Sequence, residues 1–170
     1  MTPSGVPPPI TVIGIGPSPL GERAESRLRA ATLVIGSRRH LAATSRAVPA
    51  RRSATVELGG DLDPALAALA TAEGPSVVLA SGDPGFFGVV RVLAERFGRQ
   101  RLEVLPSVSS VAAAFAAAGL PWDDALVVTA HGRDPDPAVH ACLAHPKVAV
   151  LTRPGFGPAE LAARLAGSRR

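Results

Sequence analysis

The chain is 170 residues long, 46% hydrophobic and formally +4 in charge, which is enough apolar material for one large or two small packed domains and excludes a disordered chain. Arginine supplies 17 of its 18 basic residues, Lys147 being the single lysine, so its surface favours anionic partners, phosphate or carboxylate. The lone Cys142 excludes an internal disulfide framework and a multi-cysteine zinc site, and predicts a reducing, cytoplasmic setting.

The opening MTPSGVPPP has no basic residue and no apolar block, so residues 1–9 read as a flexible leader rather than an export signal, and no later apolar run reaches the length of a membrane span. From Ile10, ITVIGIG is a buried strand ending in glycines, followed by a helix over 20–31 with Leu20, Ala24, Leu28 and Ala31 on one face. TLVIG is the next strand, and SRRHLAAT is a short helix with Ser37 at its N-cap. SATVEL is a short strand, and residues 61–71 form a helix rich in alanine and leucine. The strand Val77–Ala80 runs through SGDP into a helix expected to turn Phe87, Val90, Leu93 and Phe97 toward the core. LEVLP is another strand, and a small-residue helix covers 109–118. This alternation predicts an α/β fold with a mostly parallel sheet covered by helices on both faces.

GLPWDD, Gly119–Asp124, interrupts the pattern and reads as a linker. The expected division is an N-terminal α/β domain over 10–120 and a smaller, incomplete C-terminal α/β domain over 121–170. The second consists of strand ALVVTA, a helix near 137–143, strand VAVLT and a helix over 159–165.

Three strand ends carry the candidate chemistry. GIGPSPLGE (14–22) places Gly14, Gly16 and Pro17 between a strand and a helix, where glycine allows a ligand close to the backbone. The spacing departs from the dinucleotide fingerprint and no phosphate-loop lysine follows, so a plain tight turn explains it equally well. SGDP presents Asp83, an acceptor for amine or hydroxyl groups, beside Gly82 at the carboxyl end of a strand, where open parallel sheets bind their ligands. A helix cap is the competing role for this aspartate. PSVSSV repeats the arrangement after the next strand: Ser109 suits a cap, while Ser107 and Ser110 stay available to a bound molecule. Two neighbouring strand ends with small polar loops point to a common pocket. Arg38, Arg39 and His40 lie together in SRRHL, and His131 with Arg133 in HGR. These are candidates to grip a polyanion in the two-pronged guanidinium geometry, each weighed against a solvated or packed role. No metal-ligand spacing is visible.

GIGP, ASGDP and PSVSS, each followed by a helix, resemble the tetrapyrrole methyltransferase family, whose members move a methyl group from S-adenosylmethionine to a porphyrin-like ring. GSRRHL, SGDPGFFG, PSVSSVAAAFAAAGLPWDDA and HGR resemble more closely the branch of that family that methylates precorrin-6Y in cobalamin synthesis. The likeness runs from about Ile10 to Pro154. It implies a two-domain fold with S-adenosylmethionine folded in the cleft between the domains, lined by Gly82, Asp83, Phe86, Ser109 and Ser110. It implies Gly14, Gly16, Pro17, Arg38, Arg39, His40, His131 and Arg133 on the side of a polycarboxylate tetrapyrrole substrate. No catalytic nucleophile and no metal are expected, because a sulfonium methyl is already activated and positioning dominates. It further implies a homodimer, and a separate or fused methyltransferase for the second ring methylation and the decarboxylation. Members of that branch continue past LTRPGFGPAELAARLAG through another strand and a hairpin, so an incomplete second domain is expected here. Two other readings use the same residues: the same fold and cofactor acting on another corrin precursor or on ribosomal RNA, and a non-catalytic module that holds a nucleotide or tetrapyrrole.

Overall fold

The computed structural model describes residues 8–47 and 53–168. Of the expected leader, residues 1–7 lie outside these, whereas the Pro8 carbonyl accepts hydrogen bonds from Arg101 and the Pro9 carbonyl accepts one from the Ser76 amide. Along the chain run β1 (Ile10–Ile15), α1 (Glu22–Ala30), β2 (Leu33–Gly36), α2 (Arg38–Thr44), β3 (Ala54–Glu57), α3 (Asp63–Thr71), β4 (Ser76–Ser81), α4 (Val90–Phe97), β5 (Leu102–Leu105), α5 (Ser110–Ala118), β6 (Leu126–Thr129), α6 (Asp136–Ala144), β7 (Val148–Leu151) and α7 (Pro158–Gly167). They form two units, one ending at Ser109 and the other beginning at Ser110. The sequence-based division at 120/121 keeps α5 with the first domain; here α5 groups with the second unit.

In the first unit five strands, all parallel, lie in the order β3-β2-β4-β1-β5. Alternate side chains of the apolar runs point to opposite faces, and each face has its own core. Ile10, Val12, Leu33, Ile35 and Val78 meet Ala65 and Leu69 of α3 and Leu93 of α4 on one face. Ile13, Val34, Val77 and Leu79 meet Ala24 and Leu28 of α1 on the other, with Leu41 of α2 packed alongside. This is why the central strands read as uninterrupted apolar runs: a strand covered on both sides has no polar face. The helices separate because right-handed crossovers that move one way along a sheet fall on one face, and those that return fall on the other.

Beyond SGDP the structure corrects the expected helix. Asp83 accepts a hydrogen bond from the Gly85 amide at 2.8 Å, and the Phe86 amide donates to the Asp83 carbonyl at 3.1 Å. A turn results, and α4 starts only at Val90. Phe87, expected on the core face, is 53% exposed with φ of +53°, a left-handed conformation that no helix passes through. Val90, Leu93 and Phe97 do pack on the core.

The second unit contains the parallel pair β6–β7 with α6 and α7, around Ala130, Ala138, Val139 and Phe156. Arg164 of α7 pairs with Asp136 of α6, and the Lys147 ammonium is shared between the Asp124 carboxylate and the Pro121 carbonyl. Phe115 of α5 stacks on Trp122 at 6.1 Å between ring centroids.

Candidate functional site

The site is built on β1, β4 and β5, whose order places β1 between the other two. All three are parallel, so their carboxyl ends lie on one side of the sheet. β1 then passes to α1 on one face, and β4 to α4 on the other. Neighbouring strands whose chains leave in opposite directions open a crevice between them, and this is where parallel α/β sheets bind ligands.

The loops at this crevice are locked by their backbones. Gly82 has φ of +59°, a region open to glycine at no steric cost. In that conformation its amide donates to the Ile15 carbonyl at 2.8 Å, and its carbonyl accepts from the Ser107 amide at 3.2 Å. The ends of β4, β1 and β5 are thereby tied together. Gly14 lies beneath this junction: a Cβ there would sit 2.0 Å from the Gly82 oxygen and 2.6 Å from the Ser107 nitrogen. One at Gly16 would meet the Ser107 hydroxyl at 2.1 Å. Gly14, Gly16 and Gly82 are therefore brought together, with exposed Pro17 following in the same loop. Ser107, read from the sequence as available to a ligand, has its amide committed to Gly82.

Asp83 does not cap α4. It closes its own turn through Oδ1, and Oδ2 has no partner among the described residues. The carboxylate is thus held by one oxygen and offers the other. Phe86 is half-buried three residues on and meets Phe87 edge to face, with ring centroids 5.0 Å apart.

The SRRHL run separates into three environments. Arg38 reaches the Glu57 carboxylate at 3.4 Å, with both side chains well exposed. Arg39 donates to the Ser81 hydroxyl at 2.6 Å. His40 is only 7% exposed, with Nε2 3.3 Å from the same hydroxyl. Burial above all, then the neighbouring Arg39 charge, pulls its pKa below the ordinary histidine value; the Leu79 backbone opposes this to a smaller extent. Ser37 occupies the N-cap position of α2, but its buried hydroxyl makes no capping bond. Ser81, the last residue of β4, carries one local signal in the sequence, its place beside Gly82 and Asp83.

The remaining candidates belong to other surroundings. Ser109 closes the first unit. Ser110 opens α5 and lines a half-open, largely apolar cavity of about 470 Å³ with Phe115, Leu120 and the β7 residues Val148–Leu151. His131 and Arg133 are exposed in the turn after β6, where the His131 amide donates to the Thr129 hydroxyl at 3.1 Å.

The fold has counterparts of known structure. The chain overlies the crystal structure of a cobalamin-biosynthesis precorrin-6Y methylase from Archaeoglobus fulgidus with a TM-score of 0.66 over 93% of its own length and 78% of that chain, at 24% identity. It overlies the methyltransferase CobJ at 0.71, over 96% and 77% of the two chains, at 21% identity. At these identities the likeness establishes a shared fold, that of the two-domain methylases. In sequence, 36% identity over 98% of the chain relates it to a precorrin-6Y C(5,15)-methyltransferase [decarboxylating] from Sinorhizobium, of which it spans 40%. It is 33% identical over 92% of its length to a cobalt-precorrin-7 C(5)-methyltransferase from Salmonella typhimurium, of which it spans 77%. The family model for tetrapyrrole (corrin/porphyrin) methylases matches residues 9–170. With its parallel sheet, its glycine-locked strand ends and this nearly end-to-end match, the chain belongs to the tetrapyrrole methylase family.

Proposed function

We propose that the chain is an S-adenosylmethionine-dependent C-methyltransferase acting on a precorrin ring in cobalamin biosynthesis. The observation that carries this reading is the junction of three strand ends at Gly14, Gly82 and Ser107, beside an Asp83 carboxylate with one oxygen uncommitted. The fit to the cofactor rests on that oxygen: a fixed acceptor at the mouth of a strand-end crevice suits the amine or ribose hydroxyls of an adenosyl sulfonium. Glycine at 16 and 82 keeps the crevice wall free of side chains, and Gly14 beneath lets the three loops close on one another.

When bound, the cofactor supplies a methyl group already activated for attack by a nucleophilic ring carbon. The chain's own residues then have chiefly positioning to do. Asp83 holds the cofactor, with Gly82, Phe86, Ser109 and Ser110 assigned to the same group. Gly16 and Pro17 are assigned to the ring side, and the buried Gly14 sets the backbone beneath them. Arg38, Arg39, His40, His131 and Arg133 are the pool from which the carboxylate contacts are drawn, consistent with the arginine-rich composition.

The region matched here is shared by relatives named for C(5,15) and for C(5) methylation, which favours carbon 5 as the acceptor. The Sinorhizobium relative extends well beyond the matched region, so the second methylation and the decarboxylation are assigned to a separate or fused enzyme. A cytoplasmic homodimer completes the proposal. Among the described residues no helix is long and apolar enough to cross a membrane.

Calorimetric titration with S-adenosylhomocysteine tests the cofactor assignment. Asp83→Ala should weaken binding tenfold or more while the melting temperature stays close to that of the parent. Binding of a nicotinamide dinucleotide in its place would overturn the assignment. Transfer of labelled methyl to a reduced corrin precursor supports the acceptor; label found solely on RNA rejects it.

A further inference from the structure

Arg39, His40 and Ser81 form a polar cluster joining α2 to the end of β4, across 42 and 41 positions of sequence. The histidine is buried, and its Nδ1 makes no hydrogen bond of good geometry among the described residues, so Ser81 is the side-chain partner of the ring, with the Leu79 backbone beside it. A serine hydroxyl offers one proton and two lone pairs, and a guanidinium only donates. Ser81 must therefore accept from Arg39, and it either gives its proton to His40 Nε2 or takes one from it. In both cases the imidazole decides how the hydroxyl is turned. Ser81 itself is exposed and immediately precedes Gly82 and Asp83, so what it holds is held at the crevice.

We propose that His40 is a positioning residue: it orients the Ser81 hydroxyl, and through it anchors the Arg39 guanidinium at the end of β4, so that the remaining N–H groups of Arg39 face a carboxylate of the bound substrate. The identity of that carboxylate rests on the tetrapyrrole reading above; the cluster itself does not. His40 is thereby removed from the set of groups that touch substrate. The surroundings fit such a support. α2 packs on β2, β3 and β4. β2 carries no charged residue, Glu57 of β3 is taken by Arg38, and β4 carries none. In the loop beyond, Asp83 is tied to Gly85. Among the described residues Arg39 is the one charge acting directly on the ring, and with burial it keeps His40 neutral at neutral pH. Protonation would place two cations on one hydroxyl oxygen and release Arg39. Anchoring is thus retained at neutral pH and lost as the pH falls through the His40 value, which lies below 6.5.

The test uses the full chain with a water-soluble octacarboxylate porphyrin as probe, its binding followed by fluorescence between pH 7.5 and 5.5, and the Arg39 Nε–H resonance followed by NMR. Arg39→Ala should weaken binding tenfold or more, and Arg46→Ala, an exposed arginine elsewhere on the same segment, should leave it unchanged. His40→Leu and Ser81→Ala should each weaken it severalfold and release the Arg39 resonance into fast exchange. His40→Gln, which returns a donor near the Nε2 position, should keep both affinity and resonance while abolishing the acid fall. Ser81→Ala alters no buried residue, so it decides the matter should His40→Leu fail to fold. Equal loss in His40→Gln and His40→Leu, or an Arg39 resonance unchanged in Ser81→Ala, overturns the proposal. If the parent chain does not bind the porphyrin, the tetrapyrrole reading fails, and the Arg39 resonance alone decides the positioning role.

Discussion

The two ends of the parallel sheet both carry polar networks, and they differ in how fully their side chains are partnered. Near the amino ends of the strands, Glu103 of β5 receives Arg23 and Arg27 from α1 and the Thr11 hydroxyl from β1. The carboxylate is satisfied from three sides, and its pKa is lowered to about 2, chiefly by the bond from Arg27. At the carboxyl ends, backbone groups are satisfied by one another, but among the described residues the Asp83 carboxylate keeps one oxygen uncommitted and Arg39 bonds to Ser81 alone. A network that closes on itself holds structure, whereas one that stops short leaves groups for a ligand.

The largest effect belongs to the carboxyl end. Gly14→Ala drives a methyl group into two backbone atoms at once, neither of which can move without parting the β1, β4 and β5 loops. A loss of about 3 kcal/mol is expected in urea unfolding. Gly21→Ala, with open space at the Cβ position, should stay within about 0.5 kcal/mol of the parent. Equal behaviour of the two would show that the strand-end junction is not rigid.

The clasp at the opposite end should cost less. Glu103→Gln keeps the shape but loses the charge, and since the two arginines remain largely in water a loss of about 1–2 kcal/mol is expected. Binding of S-adenosylhomocysteine should be unaffected; a fall in affinity would erase the distinction between the two ends.

The same carboxylate sets an acid signature. A group whose folded pKa is depressed adds stability above its unfolded value and loses it as the pH falls through its folded one. The Glu103 contribution should therefore be complete above about 4.5 and decline toward about 2, and Glu103→Gln should lack that part of the parent's acid sensitivity. Matching acid titrations would mean that the clasp contributes nothing. Smallest of all, Arg38→Ala breaks an exposed pair with Glu57 and should change stability by less than about 0.5 kcal/mol.

Much of this was legible before any coordinates. The strands around Ile10–Ile15 and Ser76–Ser81 declare themselves as apolar runs between glycine and proline, and Asp83 stands out because a carboxylate is costly at the end of a buried strand unless something uses it. The start of α4 is not legible in the sequence, because Pro84, Phe87 and Val90 are locally compatible with a first helical turn. The competing turn depends on the Asp83 side chain bonding Gly85 and on the left-handed backbone at Phe87. The role of Ser81 is hidden for a different reason: its partners are more than forty residues away, and no periodicity reports so distant a contact.

The sequence by itself determined the alternation of strands and helices, the covering of the sheet on both faces and the family, because apolar period, turn residues and strand-end motifs are local signals. Only the tertiary structure decided which polar residues share an end of the sheet. The order β3-β2-β4-β1-β5 sets α2 behind Ser81 and β1 between the loops of Gly82 and Ser107. Strand order is a property of the packed sheet, fixed by how both faces are buried together, and no single stretch of chain contains it.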